Sequence, residues 1–259
     1  MTNDADRLAT PVIAGNWKMN HGPAAAAAFM RALADAHPPR FDRTVILFPP
    51  AISLPALARA RAGRSDIALG VQNVHWQADG AFTGETAAPM AVEAGAGFAI
   101  VGHSERRHIF GERDDEVGRR AAAALEAGLR PIICIGETLD ERRAGRLEAV
   151  LERQLAAALD AIAHRDADFL IAYEPVWAIG TGVNATPDDA ANAHAYVRRL
   201  LDARAGRTAG VPILYGGSVK PDNAADLLGA PGVDGVLVGG ASLDPRSFAA
   251  IANARARED

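Results

Sequence analysis

A carboxylate follows a short apolar run directly, and a proline follows the carboxylate, in the stretch FLIAYEPVWAIGTG that contains Glu174 and Pro175. Residues 169–172 are apolar on both faces, as a strand buried in a parallel sheet is. Val176, Trp177, Ala178 and Ile179 then form an apolar segment ending in Gly180-Thr181-Gly182. An acid at a strand end beside such a segment has the parts of a general base under a moving lid. The lid would keep water from the reaction, and Gly180 would let the backbone swing and offer an N–H to an anion.

Three other groups could work with that base. His103 follows the apolar run 98–101, with Ser104-Glu105-Arg106 beginning a helical turn behind it. The positive end of a helix disfavours imidazolium, so a neutral ring would donate a hydrogen bond. Lys18 would stabilise negative charge on a substrate and Asn16 would orient it. The chain has two lysines, Lys18 and Lys220, against 25 arginines. A lysine is a compact point charge where arginine is a planar fork. Lys18 is read as functional and Lys220 as chance. Ser104 and Glu105 are read as supporting residues. Glu105 fits two readings, a partner for Lys18 or a first-turn acid. The other six histidines, His37 and His164 among them, read as polar surface residues.

Tyr215-Gly216-Gly217-Ser218 and Val238-Gly239-Gly240-Ala241-Ser242 close two later apolar runs. Glycines let backbone N–H groups approach an anion, and a short helix starting at Gly239-Gly240 would aim its positive end there. These two glycine pairs therefore read as a phosphate cradle.

Elements must bring these groups together. Apolar runs at 12–14, 44–48, 67–71, 98–101, 131–135, 169–173, 213–215 and 236–238 read as strands. Helical patterns fill the gaps at 23–36, 115–127, 147–163 and 186–205, with shorter ones at 54–60, 90–94, 224–228 and 245–254. Eight alternations in 259 residues, near the ~250 typical of the fold, predict a single-domain (β/α)8 barrel. Residues 1–9 are read as a flexible tail and 10–259 as the barrel. Chemistry in such a barrel sits at the C-terminal strand ends, where the polar residues above fall. The loops after strands seven and eight are its frequent phosphate site.

The formal net charge of −5, with basic residues scattered in pairs, argues against nucleic acid. No apolar run nears a membrane span, and the first residues lack a signal-peptide core. The lone Cys134 fits a reducing cytoplasm. No metal motif and no dinucleotide fingerprint is present.

Seven motifs in order, AGNWKMN, GAFTGE, VGHSERR, CIGET, YEPVWAIGTG, YGGSVKPDNA and VGGASL, give a chain that resembles the triosephosphate isomerase family from about residue 11 to residue 252. The resemblance implies interconversion of dihydroxyacetone phosphate and glyceraldehyde 3-phosphate, in glycolysis and gluconeogenesis, without a cofactor. It implies Glu174 as base, neutral His103 as electrophile, and Lys18 and Asn16 as substrate-binding residues. It implies phosphate on backbone groups of Gly180, Ser218, Gly239 and Gly240. A homodimer is implied through loop 72–85, with Thr83 near its tip. Trp76 and Phe82 there fit an interface, or fold back on their own barrel. Two departures stand out: Val183-Asn184-Ala185 at the far lid hinge, and Arg113, for which the sequence offers no physical account. Three competing readings are an isomerase for a four-carbon ketose phosphate, a Schiff-base aldolase using Lys18, and a non-catalytic barrel.

Overall fold

The computed structural model describes residues 8–163, 168–179, 185–204, 208 and 210–255. Among them, eight strands close a parallel barrel in sequence order. The strands are β1 (Val12–Asn16), β2 (Thr44–Phe48), β3 (Ile67–Val71), β4 (Phe98–Val101), β5 (Arg130–Ile135), β6 (Leu170–Tyr173), β7 (Ile213–Tyr215) and β8 (Gly235–Val238). β8 pairs back onto β1, with Leu237 opposite Ala14.

Alternation within each strand builds two cores. Val12, Ala14, Ile46, Phe48, Ile132, Cys134, Ala172, Leu214 and Leu237 fill the barrel interior. Their neighbours Ile13, Val45, Leu47, Ile133, Ile171 and Val238 face outward and pack with the helices. Burial on both faces explains why the strands read as continuous apolar runs. Each large apolar side chain so buried contributes about 1.5–3 kcal/mol.

The helices are α1 (Pro23–Ala36), α2 (Leu54–Arg61), α3 (Ala88–Glu93), α4 (Ser104–His108), α5 (Asp114–Glu126), α6 (Leu139–Arg143), α7 (Leu147–Ile162), α8 (Pro187–Asp202), α9 (Ala224–Gly229) and α10 (Pro245–Asn253). In α1 the buried residues Ala26, Phe29, Met30 and Leu33 recur at helical spacing. At the start of α8 the Thr186 hydroxyl accepts the Asp189 N–H at 3.1 Å, and Asp189 accepts the Thr186 N–H at 3.1 Å. None of the helices among the described residues is long and apolar enough to cross a membrane.

Some expectations need correction. β1 runs to Asn16, two residues past the apolar run, because pairing with β2 carries Gly15 and Asn16 along despite poor strand propensity. Three histidines expected at the surface are buried. His37 bonds Asn253 at 2.7 Å, and His194 donates to the Gly232 carbonyl at 2.9 Å. His75 accepts the Gln77 N–H at 3.1 Å and stacks on Trp76. His164 lies outside the described residues, as do residues 1–7 of the expected tail. Trp76 folds back, half-buried under the Arg119 and Arg120 guanidiniums at 4.3 and 4.9 Å, while Phe82 is exposed. Arg113 precedes α5, where its N–H donates to Glu116 at 2.9 Å and its guanidinium pairs with Asp115 at 3.1 Å. A guanidinium cannot accept, so only one half of a reciprocal cap forms.

Candidate active site

Side chains alternate along a strand, so the inward parity can be continued two residues past Ala14, Ala172 and Leu237. That gives Asn16, Glu174 and Gly239. All three line one cavity of about 630 Å³ at the C-terminal rim, with Lys18, His103, Ser218 and Gly240. Ser104 and Glu105 stand behind that wall. Gly180 lies outside the described residues.

Lys18 is gripped at three points. Its N–H donates to Asn16 Oδ1 at 3.0 Å, its carbonyl accepts from Gln72 Nε2 at 2.8 Å, and its ammonium reaches Glu105 Oε1 at 2.6 Å. Its φ of 51° lies in the left-handed region, which a non-glycine residue holds only when its surroundings over-determine it. Of the two readings for Glu105, the pair with Lys18 is present, and the same residue also sits in the first turn of α4.

His103 precedes α4 and meets Glu174 across the barrel mouth. Its Nδ1 accepts the Glu105 N–H at 3.2 Å. A ring nitrogen that accepts carries no proton, so the proton of the neutral ring sits on Nε2. That Nε2 faces Glu174 Oε1 at 3.1 Å. The other carboxylate oxygen accepts the Ser104 N–H at 2.8 Å. Glu174 and His103 are 2 % and 6 % exposed, so the pair works largely shielded from water. Beneath Glu174, burial and the nearby carboxylate push the Cys134 thiol well up, so it is no thiolate nucleophile.

The glycine-rich loops both line the cavity. Gly240–Ser242 is a turn of 3₁₀ helix after Gly239, and the Ser242 hydroxyl donates to the Gly239 carbonyl at 2.7 Å. A Cβ on Gly240 would meet nothing within 4 Å, so the backbone there faces open space. Across the cavity, the Asn223 side chain accepts the Lys220 N–H at 2.8 Å and donates to the Ser218 carbonyl at 2.9 Å. That clasp fixes the loop carrying Ser218.

Two supporting residues, Arg107 and Glu137, were given no role from sequence. Arg107, read as half of a scattered basic pair, donates to the Gly102 carbonyl at 2.8 Å and the Cys134 carbonyl at 3.0 Å. It thereby ties the ends of β4 and β5 beneath His103. Glu137 accepts from Tyr173 OH at 3.1 Å and Trp177 Nε1 at 2.8 Å, anchoring the apolar segment after Glu174. Burial raises the Glu137 carboxyl above its ordinary value. The available signal was position, since Glu137 also follows an apolar run.

A closed parallel barrel that gathers a carboxylate, an imidazole and an ammonium beside glycine-rich backbone at its C-terminal rim is a (β/α)8-barrel enzyme equipped for proton transfer next to an anion. Comparison with known proteins narrows the class. The family model for triosephosphate isomerase matches residues 11–255. The chain is 49% identical over 246 residues to a triosephosphate isomerase of Solibacter usitatus, covering 94% of this chain and 98% of that one. It is 47% identical over 257 residues to that of Symbiobacterium thermophilum, covering 96% and 100%. The solved triosephosphate isomerase from Bartonella henselae superposes with a TM-score of 0.85 at 40% identity, covering 94% of this chain and 98% of that one. The chain belongs to the triosephosphate isomerase family.

Proposed function

We propose that this chain interconverts dihydroxyacetone phosphate and D-glyceraldehyde 3-phosphate through an enediol(ate), in glycolysis and gluconeogenesis. The observation that carries the residue roles is the 3.1 Å approach of His103 Nε2 to Glu174 Oε1 on the wall shared with Lys18.

Glu174 is the base. To take a carbon-bound proton it exchanges its bonds to Ser104 and His103 for an approach to C1 or C2 of the substrate. His103 then turns its Nε2–H to the carbonyl oxygen on which negative charge grows. A donor so placed contributes about 10²–10³ in rate. The Lys18 ammonium balances the enediolate and Asn16 orients it. Backbone groups of Ser218, Gly239 and Gly240 hold the phosphate, with Gly180 in the same role. The proton returns from Glu174 to the neighbouring carbon.

The same proposal includes residence in the cytoplasm, a compact barrel over residues 10–259 and a homodimer through loop 72–85. The exposed Phe82 on that loop and the exposed Met19 beside Lys18 support the interface. Light scattering on Thr83→Arg is expected to shift mass from dimer to monomer, and an unchanged dimer would move the interface elsewhere.

A coupled assay on glyceraldehyde 3-phosphate tests the reaction, with a four-carbon ketose phosphate as comparison and phosphoglycolate as competitor. The three-carbon substrate is expected to turn over far faster. Equal or better turnover of the four-carbon compound would overturn the substrate assignment.

A further inference from the structure

The chain's two lysines, outnumbered by 25 arginines, both line the cavity, while among the described residues no arginine does. Their circumstances differ. The Lys18 ammonium lies 2.6 Å from Glu105. The exposed Lys220 ammonium pairs with no carboxylate among the described residues. Its backbone is nevertheless held, because Asn223 accepts the Lys220 N–H at 2.8 Å and binds the Ser218 carbonyl at 2.9 Å. An unpaired cation on a clasped loop, two residues from Ser218, is placed to meet an anion rather than to stabilise the protein.

The charges favour such a cation. A phosphate monoester carries about −1.5 to −2 near neutral pH. The protein's formal charge is −5, and Glu174 and Asp222 add carboxylates to the cavity wall. Lys18 is already offset by Glu105, and the glycine backbone supplies only partial charge. A field that repels the substrate lowers its rate of capture, and one local positive charge at the entrance reverses that.

We infer that Lys220 is a substrate-capturing residue: its ammonium draws the phosphate of the triose phosphate toward the Ser218–Gly240 cradle. It is assigned no part in proton transfer. This inference rests on the reaction proposed above.

Steady-state kinetics on glyceraldehyde 3-phosphate at low and high ionic strength test it, with Lys220→Gln, Lys220→Arg and Lys220→Glu. In Lys220→Gln, kcat/KM is expected to fall about three- to tenfold at low salt, with a flatter salt dependence and the loss outside kcat. Lys220→Arg is expected to recover most of it, and Lys220→Glu to fall below Lys220→Gln. Inhibition by inorganic phosphate is expected to weaken in the same order. Unphosphorylated glyceraldehyde, which carries no charge, is the control. Loss of equal size on that neutral substrate would mean a structural role and overturn the inference. So would a Lys220→Gln protein with the parent's kcat/KM and salt slope. A parent without isomerase turnover would instead overturn the reaction itself.

Discussion

Gly136 lies opposite Glu174 across the β5–β6 ladder, so close that a Cβ at 136 would overlap the Glu174 backbone carbonyl. The register Cys134↔Ala172, continued by two residues, sets them side by side. On the other flank, a Cβ at Gly216 would stand 2.8 Å from Glu174 Cγ. The carboxylate therefore occupies a slot that two glycines keep open.

The slot gives the first prediction. Gly136→Ala forces the Glu174 backbone aside, and overpacking of this kind costs about 1–3 kcal/mol. Displacing the carboxylate by about 1 Å is expected to lower kcat about 10²-fold. Urea unfolding and kcat on one preparation check both, and parent-like kcat would show that the slot does not set the carboxylate's position.

Little of that slot was legible in the sequence. Residues 136 and 174 are 38 apart, and only barrel closure with a defined register makes them neighbours. Glu174, His103 and Lys18 were legible because each follows an apolar run, and the barrel rule places such residues on one rim. The left-handed backbone of Lys18 was not, since it depends on Gln72 and Asn16 closing around it. Arg107 looked like any surface arginine: its ion pair with Asp114 is of an ordinary kind, and its bonds to the Gly102 and Cys134 carbonyls leave no trace in side-chain patterns. The histidines were misread for a similar reason: His37 and His194 are buried because single partners, Asn253 and Gly232, satisfy one ring nitrogen each.

Gly240 gives the second prediction. Its Cβ direction is open, so Gly240→Asp is expected to fold with a thermal midpoint near the parent's. Its carboxylate would then face the incoming phosphate, and like charges so placed cost several kcal/mol. Affinity for phosphoglycolate is expected to fall by about 10² or more. Calorimetric titration reads it, and retained affinity would show that the anion sits elsewhere.

His194 gives the third. Its Nδ1–H donates to Gly232 and its Nε2 is buried without a partner, so protonation would place a charge in the core. Burial lowers its value from 6.5 to about 4. Between those values the unfolded chain binds a proton that the folded chain refuses. This contribution to stability is therefore complete above pH 6.5 and declines as pH falls toward 4, by about 3 kcal/mol in all. Unfolding midpoints measured from pH 7 to pH 4 are expected to drop less steeply in His194→Gln. Equal slopes would mean that other groups govern acid unfolding.

In the proposed reaction Glu174 moves the proton. The most direct measurement is isomerisation in D2O followed by proton NMR, for the parent and Glu174→Gln. The parent is expected to isomerise while taking solvent deuterium onto the reacting carbon. Glu174→Gln is expected to lose turnover and exchange together, by about 10²–10⁴-fold, with its fold retained. A Glu174→Gln protein that isomerises and exchanges at the parent's rate would mean that another group moves the proton.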